Sequence, residues 1–214
     1  NKNTELLLGI YYNRDAMGQA APLTDFLQDM KQAGWGDTNG EIKFWKNFPE
    51  GPRKDATYFP KIMLSDGKLY DWWYDTDPAS REVVAPVFMK TAEGAVRGTE
   101  FDYTNPTVVN ASGEKTFQLL RLSQVYCWYA EAVGRSKTGS ITEAVNLLNE
   151  VRNRANGSVV ADRDIYKTTM SYDELAEAAY NEHGWEIAGY YWGNIATRAR
   201  DMFRMNRIKD HFEY

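Results

Sequence analysis

The sequence predicts a mostly α fold with minor β: helix hairpins of tetratricopeptide type beside a loop-rich region that carries a short β-ribbon. Three observations lead to this. From Phe117 onward, Leu119, Leu122, Val125, Tyr126, Tyr129 and Val133 recur at steps of three and four with Arg121, Gln124 and Glu131 between them, the pattern of an amphipathic helix. Ser140-Ile141-Thr142-Glu143 has the form of a capping box and opens a second periodic run that ends at Asn156-Gly157. Asp66-Gly67, set between the apolar runs Lys61–Leu64 and Lys68–Tyr70, is a strong short-range hairpin signal.

In chain order, the reading starts with a strand over Glu5 to Tyr12 and a short helix near Leu23 to Ala33. Gly, Pro, Asp and Asn then recur every few residues around the ribbon at Ser65-Asp66-Gly67. The helix from Phe117 to Gly134 and the helix from Ser140 to Asn156 form the first hairpin. Ala130, Ala132 and Ala144 let the backbones approach, and Leu147, Leu148 and Val151 fill the seam. After the linker Ser158 to Met170, a second capping box at Ser171-Tyr172-Asp173-Glu174 starts a helix to about Ala188, and a last helix spans Ala196 to Ile208. Such hairpins need neighbours to bury their remaining apolar faces. The expected organisation is a loop-rich region over 1–116 and a helical scaffold over 117–214, both parts of one domain.

Composition narrows the function. The chain has 214 residues, 43% hydrophobic and 14% aromatic, enough for a core, and its net charge of −5 offers no basic field for a polyanion, so nucleic acid is excluded as the expected partner. The single cysteine, Cys127, cannot form an intrachain disulfide and reads as a buried small apolar residue. No apolar run reaches the length that crosses a bilayer. The chain enters directly into a strand and stops just after a helix, which suggests a piece of a longer protein.

Enzyme motifs are sparse. Glu182-His183-Gly184-Trp185-Glu186 contains H-x-x-E, but the second histidine of the inverted zinc motif is replaced by Ile187, and His211 is the other histidine of the chain. No G-x-S-x-G elbow, P-loop or dinucleotide glycine pattern is present. The expectation is therefore a non-catalytic protein with no metal and no cofactor. Glu182 and Glu186 lie one turn apart, Arg200 and Arg204 repeat that spacing, and the pairs are expected to face each other as interhelical ion pairs.

Three segments resemble the SusD/RagB family of outer-membrane nutrient-binding lipoproteins of Bacteroidetes. Leu120-Arg121-Leu122 leading into Tyr129-Ala130-Glu131-Ala132 is similar to the family's Arg-start helix with its Tyr-Ala-Glu-Ala run. AVNLLNEVRNR over Ala144 to Arg154, followed by Ala155, is similar to the family's A-x-x-x-L-N-x-V-R-x-R-A helix. Asn181 to Gly189 resembles its N-E-R-x-x-E-x-A-G segment, with Arg200-Asp201-Met202-Phe203-Arg204 matching the R-x-D-L-x-R helix that follows. Gly51-Pro52-Arg53 stands where the family often has Asp-Pro-Arg before a strand. His183 departs from the family's arginine, and Gly189 to Thr197 is longer than the usual link. The resemblance implies an incomplete SusD-like fold. It further implies binding of an oligosaccharide at the cell outer membrane, on the surface, and delivery to a SusC-like TonB-dependent transporter. The lipid anchor that would hold such a protein to the membrane is absent from this chain. The alternative is a peptide-binding RagB-like or tetratricopeptide scaffold, with the ligand on the concave helix face.

Sugar rings need flat apolar faces together with planar amide and carboxylate partners. The expected ligand-binding residues are Asp71, Trp72, Trp73, Tyr74 and Asp75, with Trp35 and Trp45, and Tyr58 is a further aromatic of the same region. In a strand, adjacent Trp72 and Trp73 cannot both point inward. A glycoside hydrolase reading would use Asp71 and Asp75 as its carboxylate pair. Trp128 and Trp185 are expected in the core, while Tyr190-Tyr191-Trp192 either caps the scaffold or forms a contact surface.

Overall fold

The computed structural model describes residues 4–11, 39–63, 68–71, 85–90, 96–97, 100–101, 116–157, 159–189 and 198–212. Within these, the chain runs through β1 (Leu6–Ile10), α1 (Ile42–Asn47), α2 (Pro52–Thr57), β2 (Ile62–Met63), β3 (Leu69–Tyr70), β4 (Val96–Arg97), β5 (Glu100–Phe101) and β6 (Phe117–Arg121). The helices α3 (Leu122–Ser136), α4 (Ile141–Asn156), α5 (Tyr172–Ile187), α6 (Arg198–Arg204) and α7 (Ile208–Phe212) follow, with a 3₁₀ turn over Val160–Asp162. The fold is mostly helical with minor antiparallel β, as the sequence predicts. The helix read at Leu23 to Ala33 and the Tyr190-Tyr191-Trp192 run lie outside the described residues.

The chain divides into two compact units, one made of Asn1–Gly9, Gln118–Ala188 and Gly193–Tyr214, the other of Ile10–Phe117 and Gly189–Trp192. In the first unit, α3 packs along α5 more extensively than along α4, its hairpin neighbour. The close fit rests on Gly134: a Cβ there would stand 2.6 Å from the Ala176 nitrogen and 2.6 Å from the Tyr172 carbonyl oxygen. The core gathers Cys127, Ala130 and Val133 of α3, Ala144, Val145, Leu148 and Val151 of α4, and Leu175 and Ala179 of α5, with Tyr166 from the linker.

The signals of the helix starts fare differently. At Ser171 the full capping box forms: the hydroxyl accepts from the Glu174 amide at 3.2 Å and the Glu174 carboxylate accepts from the Ser171 amide at 2.7 Å. At Ser140 the hydroxyl accepts from the Glu143 amide at 3.2 Å, but the Glu143 carboxylate takes the Tyr129 hydroxyl of α3 at 2.7 Å instead. The first helix starts at Leu122 rather than Phe117, because Phe117–Arg121 pairs with β1 as a two-stranded sheet. The Arg121 amide is closed by the buried Gln124 side chain at 2.9 Å, and the Leu122 amide by the Glu5 carbonyl at 2.8 Å. The last helix is likewise two: Asn206, at φ 55, stops α6, with Arg207 N–H bonding the Met202 carbonyl at 2.7 Å and Asn206 N–H the Phe203 carbonyl at 3.0 Å. That is a Schellman cap with asparagine in the left-handed position, which a search for glycine stops overlooks.

In the second unit, Phe48, Tyr58, Phe59, Val87 and Met89 are buried together. The Gly51-Pro52-Arg53 run opens helix α2 rather than preceding a strand directly. Gly51 takes φ 130, where a side chain would be strained, and Pro52 fits the first helical turn. Tyr58 then makes an antiparallel bridge with Phe88, flanked by Phe59 N–H to the Val87 carbonyl at 2.9 Å. The ribbon forms as read, with Ile62 opposite Tyr70 and Met63 opposite Leu69.

Candidate functional site

Of the seven residues read as ligand-binding, Trp45 and Asp71 fall within the described residues, and Trp35, Trp72, Trp73, Tyr74 and Asp75 lie outside them. Asp71 follows β3 and accepts from Lys61 Nζ at 3.1 Å, a half-exposed cross-strand pair that extends the β2–β3 register by one step. Trp45 sits on α1, whose start is capped by the Glu41 carboxylate on the amides of Lys43 and Phe44. The ammonium of the buried Lys54 lies 4.3 Å from the Trp45 ring centroid and 2.5 Å from Glu50 Oε1. One face of that indole is therefore occupied by a cation.

Tyr58, grouped with the candidate sugar platforms by composition, is instead a core residue at 3% exposure, edge-on to Phe48 at 5.7 Å and stacked on Phe88 at 5.0 Å. Burial, and after it the Glu41 carboxylate, push its phenol above the ordinary value. Trp128 and Trp185 depart in the other direction: neither is fully buried. Trp185 carries the Arg152 guanidinium 5.3 Å from its ring centroid, and Trp128 forms one wall of an open groove.

The buried carboxylates of the helical unit do form ion pairs, but not with the partners their spacing suggested. Glu182 meets Arg152 of α4 at 3.5 Å and accepts the Tyr166 hydroxyl at 2.6 Å. Glu186 meets Arg121 at 2.9 Å and Arg154 at 2.6 Å, and accepts from Ser123 Oγ at 3.1 Å. Arg204 clasps Glu131 of α3 with two bonds, 2.8 and 2.6 Å, and Asp201 at 2.8 Å. His183, where the family has arginine, is buried with Nδ1 2.6 Å from Asp201 Oδ2 and joins α5 to α6. Spacing does not announce Arg152 as the partner of Glu182, Glu131 as that of Arg204 or Asp201 as that of His183, because these pairs span 30, 73 and 18 residues. The helical spacing of Arg and Glu on each helix was the available signal, and it is silent about which helix lies opposite. Among the described residues, no cluster of three His, Cys, Asp or Glu could hold a metal ion, and no helix is long and apolar enough to cross a membrane.

Two open grooves lie on the helical unit. One, of about 410 Å³, runs past Trp128, Glu131, Arg135 and Arg204. The other, of about 460 Å³, lies over α3 and α4, with Leu122, Tyr126 and Val151 as its apolar surface and Glu150, Asn153 and Arg154 among its polar groups.

The comparisons with known proteins bear on this architecture. The model of the SusD family matches residues 94–211, more than half of the chain. No curated protein matches it. Among solved structures, a SusD homolog from Bacteroides thetaiotaomicron VPI-5482 is similar with a TM-score of 0.63 and 18% identity, over 94% of this chain and 41% of that one. The surface glycan-binding protein A of Bacteroides thetaiotaomicron is similar with a TM-score of 0.59 and 16% identity, over 95% of this chain and 43% of that one. A SusD superfamily protein of Bacteroides fragilis gives a TM-score of 0.51 at 15% identity. The chain thus spans about two fifths of the length of the structures it matches.

Proposed function

The chain belongs to the SusD family, and on that premise we propose that it is a non-catalytic oligosaccharide-binding component of the bacterial outer-membrane surface that hands its ligand to a SusC-like TonB-dependent transporter. The observation that carries this reading is the family match over residues 94–211, supported by the fold likeness to a protein named as a surface glycan-binding protein. In this reading the loop-rich region over 1–116 carries the ligand through Trp35, Trp45 and the Asp71-Trp72-Trp73-Tyr74-Asp75 run. The helices over 117–214 are the tetratricopeptide-like scaffold, and both are parts of one domain.

The engagement of Glu131, Glu182, Glu186 and Asp71 supports binding over turnover. Retaining or inverting hydrolysis needs a carboxylate free to exchange a proton beside a second one. Glu131 binds guanidinium donors with both oxygens, Glu182 and Glu186 each meet guanidinium and hydroxyl donors, and Asp71 is engaged by Lys61. The reading is tested by incubating the protein with a glycan panel and measuring both binding and reducing ends. Binding without release is the expected result. Reproducible release that disappears in Asp71→Asn would replace it with the glycosidase reading, and binding of peptides alone with the RagB-like one.

A further inference from the structure

The α3–α4 groove combines features that no motif of the sequence announces. Its apolar surface is supplied by Leu122, Tyr126 and Val151, and its volume of about 460 Å³ falls in the range of small-molecule sites, roughly 300 to 1,000 Å³. Beside that surface stand two polar groups without a partner among the described residues. Neither the Tyr126 hydroxyl nor the Glu150 carboxylate makes a hydrogen bond or ion pair among the described residues, although both line the groove. Their neighbours are spent: Arg154 bridges Glu5 at 3.2 Å and Glu186 at 2.6 Å, and the Asn153 amide is locked to Asp164 by bonds of 2.9 and 3.1 Å. The groove is thus framed by paired side chains, with one neutral donor-acceptor and one anionic acceptor that have no partner among the described residues.

We propose that this groove, built by α3 and α4, is a saccharide subsite additional to the residues read as ligand-binding, and that it takes an uncharged pyranose ring. The proposal rests on the oligosaccharide reading above. The C–H face of a sugar lies against Tyr126 and the aliphatic side chains, two of its hydroxyls donate to the Glu150 carboxylate, and a third pairs with the Tyr126 hydroxyl. An acidic sugar is disfavoured, because its carboxylate would meet Glu150 while Arg154 is already held by two glutamates. The groove beside Trp128 does not offer the same chemistry. Its carboxylate, Glu131, already accepts from Arg135 at 3.1 Å and twice from Arg204, and its Ser136 hydroxyl is 2.9 Å from that of Thr138.

The experiment is amide chemical-shift mapping on the 214-residue chain. The probes are neutral gluco-, manno- and xylo-oligosaccharides, a glucuronate-containing oligosaccharide and an extended peptide. A neutral oligosaccharide is expected to shift amides of 122–126 and 150–154, with the glucuronate probe weaker there. Glu150→Gln, an exposed change, is expected to weaken that component about tenfold, the loss of one charge-assisted hydrogen bond. Tyr126→Phe weakens it less, and the Trp72→Ala, Trp73→Ala double variant leaves it unchanged. If oligosaccharides bind but these amides stay still, or if Glu150→Gln changes nothing at an unchanged melting temperature, the groove assignment is overturned and the oligosaccharide reading stands. The assignment is also overturned if the peptide alone moves these amides. If no oligosaccharide shifts any amide, the oligosaccharide reading falls and the groove assignment with it.

Discussion

Arg204 binds Glu131 through both arms of its guanidinium, Nε to Oε1 at 2.8 Å and Nη2 to Oε2 at 2.6 Å, across 73 residues of sequence. The pair ties α6 to α3, and Arg204 further reaches Asp201 at 2.8 Å, whose other oxygen meets His183. A buried carboxylate that loses its partner costs about 3 to 5 kcal/mol. Arg135 remains on Glu131 at 3.1 Å when Arg204 is removed, so Arg204→Ala is expected to cost about 2 kcal/mol rather than the full amount. Arg204→Lys recovers less than half, because an ammonium cannot make the two parallel bonds. Urea unfolding of the two variants measures both, and an Arg204→Ala midpoint equal to that of the unsubstituted chain would exclude the pair as a stabilising contact.

Gly134→Ala sets helix propensity against packing. Alanine in a helix interior gains about 1 kcal/mol over glycine. The added Cβ would stand 2.6 Å from backbone atoms of Tyr172 and Ala176, which cannot rotate away as a side chain would. Separating α3 from α5 to relieve that contact is expected to outweigh the propensity gain, for a net loss of about 1 to 3 kcal/mol. A melting temperature at or above that of the unsubstituted chain would show that the helices give way more easily than this contact implies.

The loop tryptophans are tested by affinity and stability measured together. Trp72→Ala or Trp73→Ala is expected to remove the component of oligosaccharide binding that the α3–α4 groove does not carry, while the melting temperature stays nearly unchanged, as a ligand platform outside the core requires. Phe48→Ala is the buried control: its ring is 2% exposed, and truncation of a core aromatic costs about 3 to 5 kcal/mol. Two variants that melt early, or that bind as before, would move the platform to Trp35 and Trp45.

The start of α5 carries a pH dependence with a definite sign. The Ser171 amide and hydroxyl donate to Glu174 and hold its carboxyl below the ordinary value of 4.5. A carboxylate depressed in the folded state contributes stability that is present above its unfolded value and is lost as pH falls through the folded one. The protection factors of the Ser171 and Glu174 amides, their exchange rates relative to the intrinsic rates at each pH, should therefore be constant above about pH 4.5 and fall below it, at pH values where an unperturbed glutamate would already be protonated. Glu174→Gln should abolish that acid limb, and an identical limb in the variant would assign it elsewhere.

The sequence by itself determined the local elements. Reciprocal Ser171 and Glu174 fixed the start of α5, the Asp66-Gly67 signal placed the ribbon, and the spacing of small and apolar residues marked α4, because each depends on neighbours within a few positions along the chain. The family motifs added the order of those elements. What lay opposite what was decided by the tertiary structure. Gln124 closing the Arg121 amide and the pairing of β6 with β1 converted the expected first turn of a helix into a strand. Asn206 in the left-handed region split the last helix. Glu182 and Glu186 turned to Arg152, Arg121 and Arg154 instead of Arg200 and Arg204, and Glu143 left its cap for Tyr129. Each of these choices compares partners tens of residues apart on different elements, and helical periodicity names the face of an element but not what that face meets. The same limit holds for the groove of Tyr126 and Glu150: their significance comes from having no partner among the described residues while Asn153 and Arg154 beside them are paired, a property of the packed unit rather than of either residue.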